Sequence, residues 1–184
     1  MENRKTQILD LTMKLIREKG YVAISYDDLA KQLGVTKASI HYHYEKKEDL
    51  GVAVAERLYY NLQNLSAFLR ESSLNAEEKL SHYFKRKVEV SGTGICPISS
   101  LQADFESIPE TLRQKVQEVS EFELSILEEI LREASDSGIM KHEDVESVAL
   151  AVLSCLKGAM QYKRALGKDV IPQVMHTINR LIRS

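Results

Sequence analysis

Cysteine is scarce in this chain. Of 184 residues only Cys96 and Cys155 are cysteines, which makes neither a disulfide framework nor a metal-ligand pair and fits a reducing compartment. Long hydrophobic runs are missing too: the longest, Val148 to Leu156, is far below the roughly 20 apolar residues a membrane span requires. The opening Met-Glu-Asn-Arg-Lys-Thr-Gln carries no signal peptide, so the expectation is a cytoplasmic protein with no membrane partner. An excess of one charge is also absent. The net charge of −2 excludes a generally basic nucleic-acid coat, and any contact of that kind must come from a local patch. Residues 1–60 hold ten Lys+Arg against nine Asp+Glu and the remainder fifteen against eighteen, so the amino-terminal part is the more positive of the two.

Repeats, low-complexity tracts and the alternating pattern of strands are absent as well, which leaves an all-α chain. Neither cofactor nor metal is expected. His41 and His43 stand two apart on a helix and point to different faces, while His82, His142 and His176 have no ligand spacing with an acid or cysteine. A helical enzyme using Cys96 as nucleophile and His82 as base is the reading from another class, but it lacks an orienting third group or an oxyanion-hole motif. The chain is therefore expected not to be an enzyme.

What is present is concentrated between Ser25 and Tyr44. Ser25 can cap a helix with Asp28 in its acidic first turn, and Leu29, Ala30 and Leu33 share one apolar face. Gly34 supplies the left-handed backbone of a sharp exit, and Thr36 can cap a second helix running through Ile40 to about His43. Ala30 is small enough for Val35 and Ile40 to close over Leu29 and Leu33. Two short helices around a tight turn read as a helix-turn-helix. The outer face of the second helix carries Lys37, Ser39, Tyr42 and His43 with His41 beside them, groups suited to phosphates and base edges in a major groove. Upstream, a supporting helix over Thr6–Lys19 presents Ile8, Leu11, Thr12, Leu15 and Ile16 and stops at Gly20.

The run Ile8 to Leu50, ending Gly-Val-Thr-Lys-Ala-Ser-Ile-His-Tyr-His-Tyr-Glu-Lys-Lys-Glu-Asp-Leu, resembles the amino-terminal domain of the tetracycline-repressor (TetR/AcrR) family of transcriptional regulators. The resemblance implies that Lys37, Ala38 and Ser39 face the bases and nearby backbone. It also implies that Lys47 touches a phosphate from the start of the fourth helix. His41 stands where the family usually has a phosphate-touching tyrosine, and Tyr44 where it usually has phenylalanine. Ser25, Tyr26 and Thr36 complete the expected DNA-binding set with Tyr42 and His43. The implied function is a dimeric repressor on a palindromic double-stranded operator, released by a small-molecule effector, with a thiol-based redox or electrophile sensor at Cys96 as the alternative.

The remainder reads as further helices with short breaks: Lys47 to about Leu69, Ala76–Val90 capped by Asn75, Ile98–Glu106, Pro109 to Ser135, Asp144–Leu166 and Pro172–Ile182. The expected domains are a DNA-binding head, residues 1–46, and a ligand-binding and dimerisation body, residues 47–184. In the body, Phe68, Phe84, Leu101, Phe105, Phe122 and Met160 are candidates for a ligand pocket. The last two helices are apolar over so broad a face that a second copy is expected to cover them in a four-helix bundle. Val148, Val152, Cys155, Ile171, Val174, Met175 and Ile178 are the expected interface.

Overall fold

The computed structural model describes residues 3–92, 94–141 and 144–183, so that His142 lies outside the described residues. Every regular element within them is helical. In chain order these are α1 (Arg4–Lys19), α2 (Tyr26–Leu33), α3 (Lys37–His43), α4 (Lys47–Glu71), α5 (Ala76–Ser91), α6 (Pro97–Ala103), α7 (Glu110–Asp136), α8 (Val145–Leu166) and α9 (Ile171–Arg183), with a 3₁₀ turn at Phe105–Ser107. Two compact units contain them: residues 1–60 with 97–120, here the head unit, and residues 61–96 with 121–184, the body unit. The units do not part at the expected boundary after residue 46, because the first part of α4, all of α6 and the start of α7 belong with the head.

In the head unit, α1 turns Ile8, Leu9, Thr12, Leu15 and Ile16 inward, and the Thr12 hydroxyl donates back to the Ile8 carbonyl at 2.7 Å. The α2 start is a capping box: Ser25 Oγ accepts from the Asp28 N–H, and the Asp28 carboxylate accepts from the Ser25 N–H. Gly34 takes φ 64°, a left-handed conformation that glycine adopts without the Cβ penalty, and ends α2. Thr36 Oγ1 then accepts from the Ser39 N–H and opens α3. Leu29 and Ile40 are fully buried where these two helices meet.

The helix α6 stops at Ala103 rather than running to Glu106. Asp104 explains the break, since its carboxylate accepts from the N–H groups of Tyr21 and Val22 at 2.8 and 3.2 Å and its carbonyl accepts from the Ser107 N–H in the 3₁₀ turn. Ser100 Oγ donates to the Ile16 carbonyl at 2.8 Å, a second tie between α6 and α1. Gly51 marks the closest approach in this unit: a Cβ there would lie 2.6 Å from Leu112 Cδ2 and 2.8 Å from Tyr21 Cε2.

In the body unit a second capping box, Asn75 with Glu78, starts α5, which buries Leu80, Tyr83, Phe84 and Lys87. From α8, Ala149, Val152, Leu153, Leu156, Ala159 and Met160 are buried, and from α9 Ile171, Ile178 and Ile182. This corrects the expected interface. Val152 and Ile178 are covered by their own chain and have almost no area left to give a partner, and Ile171 keeps only 9%. No helix among the described residues is long and apolar enough to cross a membrane.

Candidate nucleic-acid interface

The helix α3 buries one residue, Ile40, and leaves the rest of its surface outward. Lys37, Ala38, His41 and Tyr42 are exposed, Tyr42 at 86%, and Ser39 and His43 are half-buried. A side chain so open has no packing role in this fold, and Tyr42 stands with His43 edge to face at 5.1 Å. Lys37 Nζ is not idle. It pairs with Asp27 Oδ2 at 2.9 Å across the turn, so its reach to a base requires that this surface pair open. Thr36 uses its oxygen as a cap acceptor, which leaves the hydroxyl proton to donate.

Two of the expected DNA contacts, Tyr26 and Ser25, change in character. Tyr26 is buried and its hydroxyl donates to the Tyr44 carbonyl at 2.8 Å, with burial pushing its phenol up to about 12. It therefore braces α2 against the end of α3 instead of facing a phosphate, and Tyr44 is buried beside it as a packing residue. Ser25 is likewise committed to its cap. Asp28, in that cap, is held down to about 2 by hydrogen bonds from Lys19 and Ser25.

The ring of His41 packs edge-on against Tyr26 at 4.6 Å, and its Nδ1 lies 3.0 Å from the Glu45 carbonyl. A carbonyl only accepts, so Nδ1 must carry a proton. The neutral ring then presents a lone pair at Nε2, and only the imidazolium can donate to a phosphate from that nitrogen. Lys47, half-buried at the start of α4, donates to the Val22 carbonyl at 2.9 Å with its ammonium 4.7 Å from the centre of the Tyr21 ring. Desolvation draws its pKa below the ordinary lysine value. Tyr21 donates in turn to the Lys47 carbonyl at 2.8 Å, so the loop after α1 and the start of α4 are locked together. An ammonium has three donors, and two remain for a phosphate.

The pocket candidates fall into both units. Leu101 and Phe105 belong to the head unit, the first buried and the second half-buried. In the body unit Phe68 is exposed against His82, with ring centres 4.6 Å apart, in a shallow depression with Asn61, Asn64 and Arg86. Phe122 is half-buried, and Met160 is buried with its sulfur accepting from Ser91 Oγ at 3.0 Å. Phe84 lines a different cavity, of about 420 Å³, that also takes in Met175. Met175 thus faces its own chain, and Val148 and Val174 are half-buried.

Cys96, the expected sensor thiol, is buried, 3% exposed, and close enough to Lys87 to act on its charge, whereas Cys155, placed in the expected interface, is exposed on α8. No group of three or more His, Cys, Asp or Glu among the described residues could hold a metal ion.

One charged cluster escaped the sequence reading. Glu123 of α7 is buried and ion-paired with Lys87 and, at 2.6 Å, with Lys157. Burial alone would raise the Glu123 carboxyl, but the two ammonium groups outweigh it and hold it below its usual range. Burial likewise opposes the charge on Lys87, and the Glu123 carboxylate more than offsets it, so Lys87 titrates above the ordinary lysine range. The signal was legible: Glu123 falls at helical spacing between Val119 and Ile126, and Lys87 follows Tyr83 and Phe84 on a buried face. Asp27 and Asp104, whose partners lie across a turn and 83 residues away, left no comparable mark.

Residues 8–54 match the family described as bacterial regulatory proteins, tetR family, and residues 76–178 match the tetracyclin repressor-like carboxy-terminal domain. The biofilm operon icaADBC negative transcriptional regulator IcaR of Staphylococcus epidermidis is 26% identical over 126 residues, 61% of this chain and 66% of that protein. The fatty acid metabolism regulator protein of Bacillus subtilis is 27% identical over 136 residues, 73% of this chain and 70% of its own length. A TetR transcriptional regulator of Legionella pneumophila superposes with a TM-score of 0.84 at 29% identity, over 99% of this chain and 98% of that one. With its capped helix-turn-helix, open recognition helix and helical body, the chain belongs to the tetR family of bacterial transcriptional regulators.

Proposed function

We propose that this chain acts as a homodimeric transcriptional repressor, holding a palindromic operator with two α3 helices and releasing it when a small-molecule effector binds the body. The observation that carries the reading is the surface of α3, which keeps Lys37, His41 and Tyr42 outward on a helix capped at its start and braced at its end by the Tyr26 hydroxyl. One head reads few base pairs; two heads ~34 Å apart read both halves of a palindrome. Phosphate contacts from Lys47 and protonated His41 supply register, and Lys37 with Ser39 supplies base readout. The effector shifts the equilibrium only by its differential affinity for the bound and released states.

A stripe on α8 supports the dimer. Ala151, Cys155, Tyr162 (64% exposed) and Leu166 (60%) share one face at helical spacing and are open to solvent. A contiguous apolar face of this kind marks an interaction site. Two such faces packed across a two-fold axis would cover it in the expected four-helix bundle, through residues that share only Cys155 with the expected interface. The test is Tyr162→Glu followed by size-exclusion chromatography with light scattering. The wild type is expected as a dimer and the variant as a helical monomer with weakened operator binding, because a carboxylate buried unpaired costs several kcal/mol. A monomeric wild type at micromolar concentration would refute the bundle.

A further inference from the structure

The cavity of about 420 Å³ in the body unit has no part in the DNA-facing chemistry and shares only Phe84 with the pocket expected from the aromatic residues. Its walls are one face of α5, residues Met175, Asn179, Ile182 and Arg183 of α9, and Ile139. Along α5 the lining residues recur at helical spacing, with Leu80, Phe84 and Val88 forming an apolar row and Ser81 and Lys85 beside it. Met175 and Ile182 of α9 supply the facing apolar surface. The floor is built from core residues, since Leu80, Phe84 and Ile182 are each buried. A volume of this size is within the range of about 300–1,000 Å³ typical of small-molecule pockets.

The charge at the rim is what selects the ligand. Glu77 and Arg183 both line the cavity and are paired with each other. Glu89 is paired with Arg86 at 3.8 Å. Arg86 itself lies outside the lining, so the lining holds two carboxylates, Glu77 and Glu89, against two cations, Arg183 and Lys85, and of these cations Lys85, exposed, is in no ion pair among the described residues. Ser81 and Asn179 add neutral hydrogen-bonding groups to the wall. An apolar floor beside an ammonium that is in no ion pair complements a ligand that is apolar over most of its surface and carries one negative charge.

We propose that the α5–α9 cavity binds a free amphipathic monoanion, an aliphatic or aromatic body bearing one carboxylate- or sulfonate-type group, with the body on the Leu80–Phe84–Val88 row and the anion at Lys85. This deepens the reading of the body as an effector-sensing unit and rests on it for its regulatory meaning. The binding itself does not depend on that reading.

The experiment titrates the full chain with two fluorescent probes of the same aromatic frame: 1-anilinonaphthalene-8-sulfonate, which carries the anion, and N-phenyl-1-naphthylamine, which does not. The wild type is expected to bind both saturably, one per chain. Lys85→Gln, at an exposed position, is expected to weaken the sulfonate about two- to fivefold, the range of a partly exposed ion pair, and to leave the neutral probe unchanged. Val88→Phe, filling the cavity, is expected to weaken both at least tenfold, with far-ultraviolet circular dichroism confirming the helices. Failure of the wild type to bind either probe, equal effects of Lys85→Gln on both, or binding of both untouched by Val88→Phe would overturn the site. Anisotropy of labelled duplex DNA on the same preparation separates the two readings. DNA binding without probe binding overturns the cavity assignment alone, whereas probe binding without DNA binding overturns the regulator reading and keeps the cavity.

Discussion

Replacing Asp27 by asparagine should tighten DNA binding while weakening the head itself, and the opposition of signs is what makes the substitution informative. In the free protein Lys37 Nζ sits 2.9 Å from Asp27 Oδ2, with both side chains more than half exposed. Lys37 cannot reach a base edge or phosphate without giving up that pair. An exposed pair of this kind is worth about 0.2–1 kcal/mol, so removing it should raise affinity about 1.4- to 5-fold per head. Loss of a carboxylate from the DNA-facing edge adds to the gain at low salt and fades as the Debye length shortens. Against this, Asp27 lies in the first turn of α2, where a negative charge favours the helix by about 0.3–1 kcal/mol, so the thermal midpoint should fall slightly. Fluorescence anisotropy with a labelled duplex at two salt concentrations measures the first effect and circular dichroism the second. Repeating the change in a Lys37→Ala background isolates the coupling, and the gain should shrink to the repulsion component alone. Unchanged or weaker DNA affinity in Asp27→Asn, or the same gain with and without Lys37, would refute the role given to Lys37.

Two further outcomes follow from the site geometry. Glu123→Gln should leave two ammonium groups buried without their carboxylate, at a cost of about 3–5 kcal/mol, and lower the melting temperature by about 6–20 °C for a chain of this size. The pH dependence carries a sign. Since Glu123 is held below the ordinary glutamate value of 4.5, its stabilisation is present above that pH and lost as pH falls through the depressed value, so wild-type melting should drop in acid more steeply than that of the variant. A variant as stable as the wild type at neutral pH would remove the cluster from the account of the core. At the DNA face, the Nδ1 contact of His41 with the Glu45 carbonyl means that only the charged ring donates to phosphate. His41→Leu should therefore weaken binding to all DNA sequences alike, as read by anisotropy; unchanged affinity would exclude His41 from the contact.

Local signals in the sequence translated into structure well. Ser25 with Asp28, Gly34, Thr36 and Asn75 each cap or stop a helix through contacts to neighbours in sequence, and the structure places each in that role. Long-range partners were not legible. Asp104 ends α6 early because its carboxylate is taken by backbone N–H groups of Tyr21 and Val22, which no local pattern announces. The burial of Tyr26 depends on a hydroxyl partner, Tyr44, 18 residues on. The apolar character of α8 did not say which of its faces turns inward: Val152 faces the core of its own chain, and Cys155, three residues on, faces solvent. The aromatic residues of the body suggested a pocket by type alone, and the fold put Leu101 in one unit and Phe84 in the other.

The central claim is that two heads of one dimer read two halves of one site. Protection footprinting of the DNA upstream of the gene for this chain tests it directly. The account predicts two protected patches related by a two-fold sequence symmetry and centred about one helical turn apart, ~34 Å, with both lost together in Tyr162→Glu. A single unsymmetrical patch, or protection that does not depend on sequence at all, would contradict it.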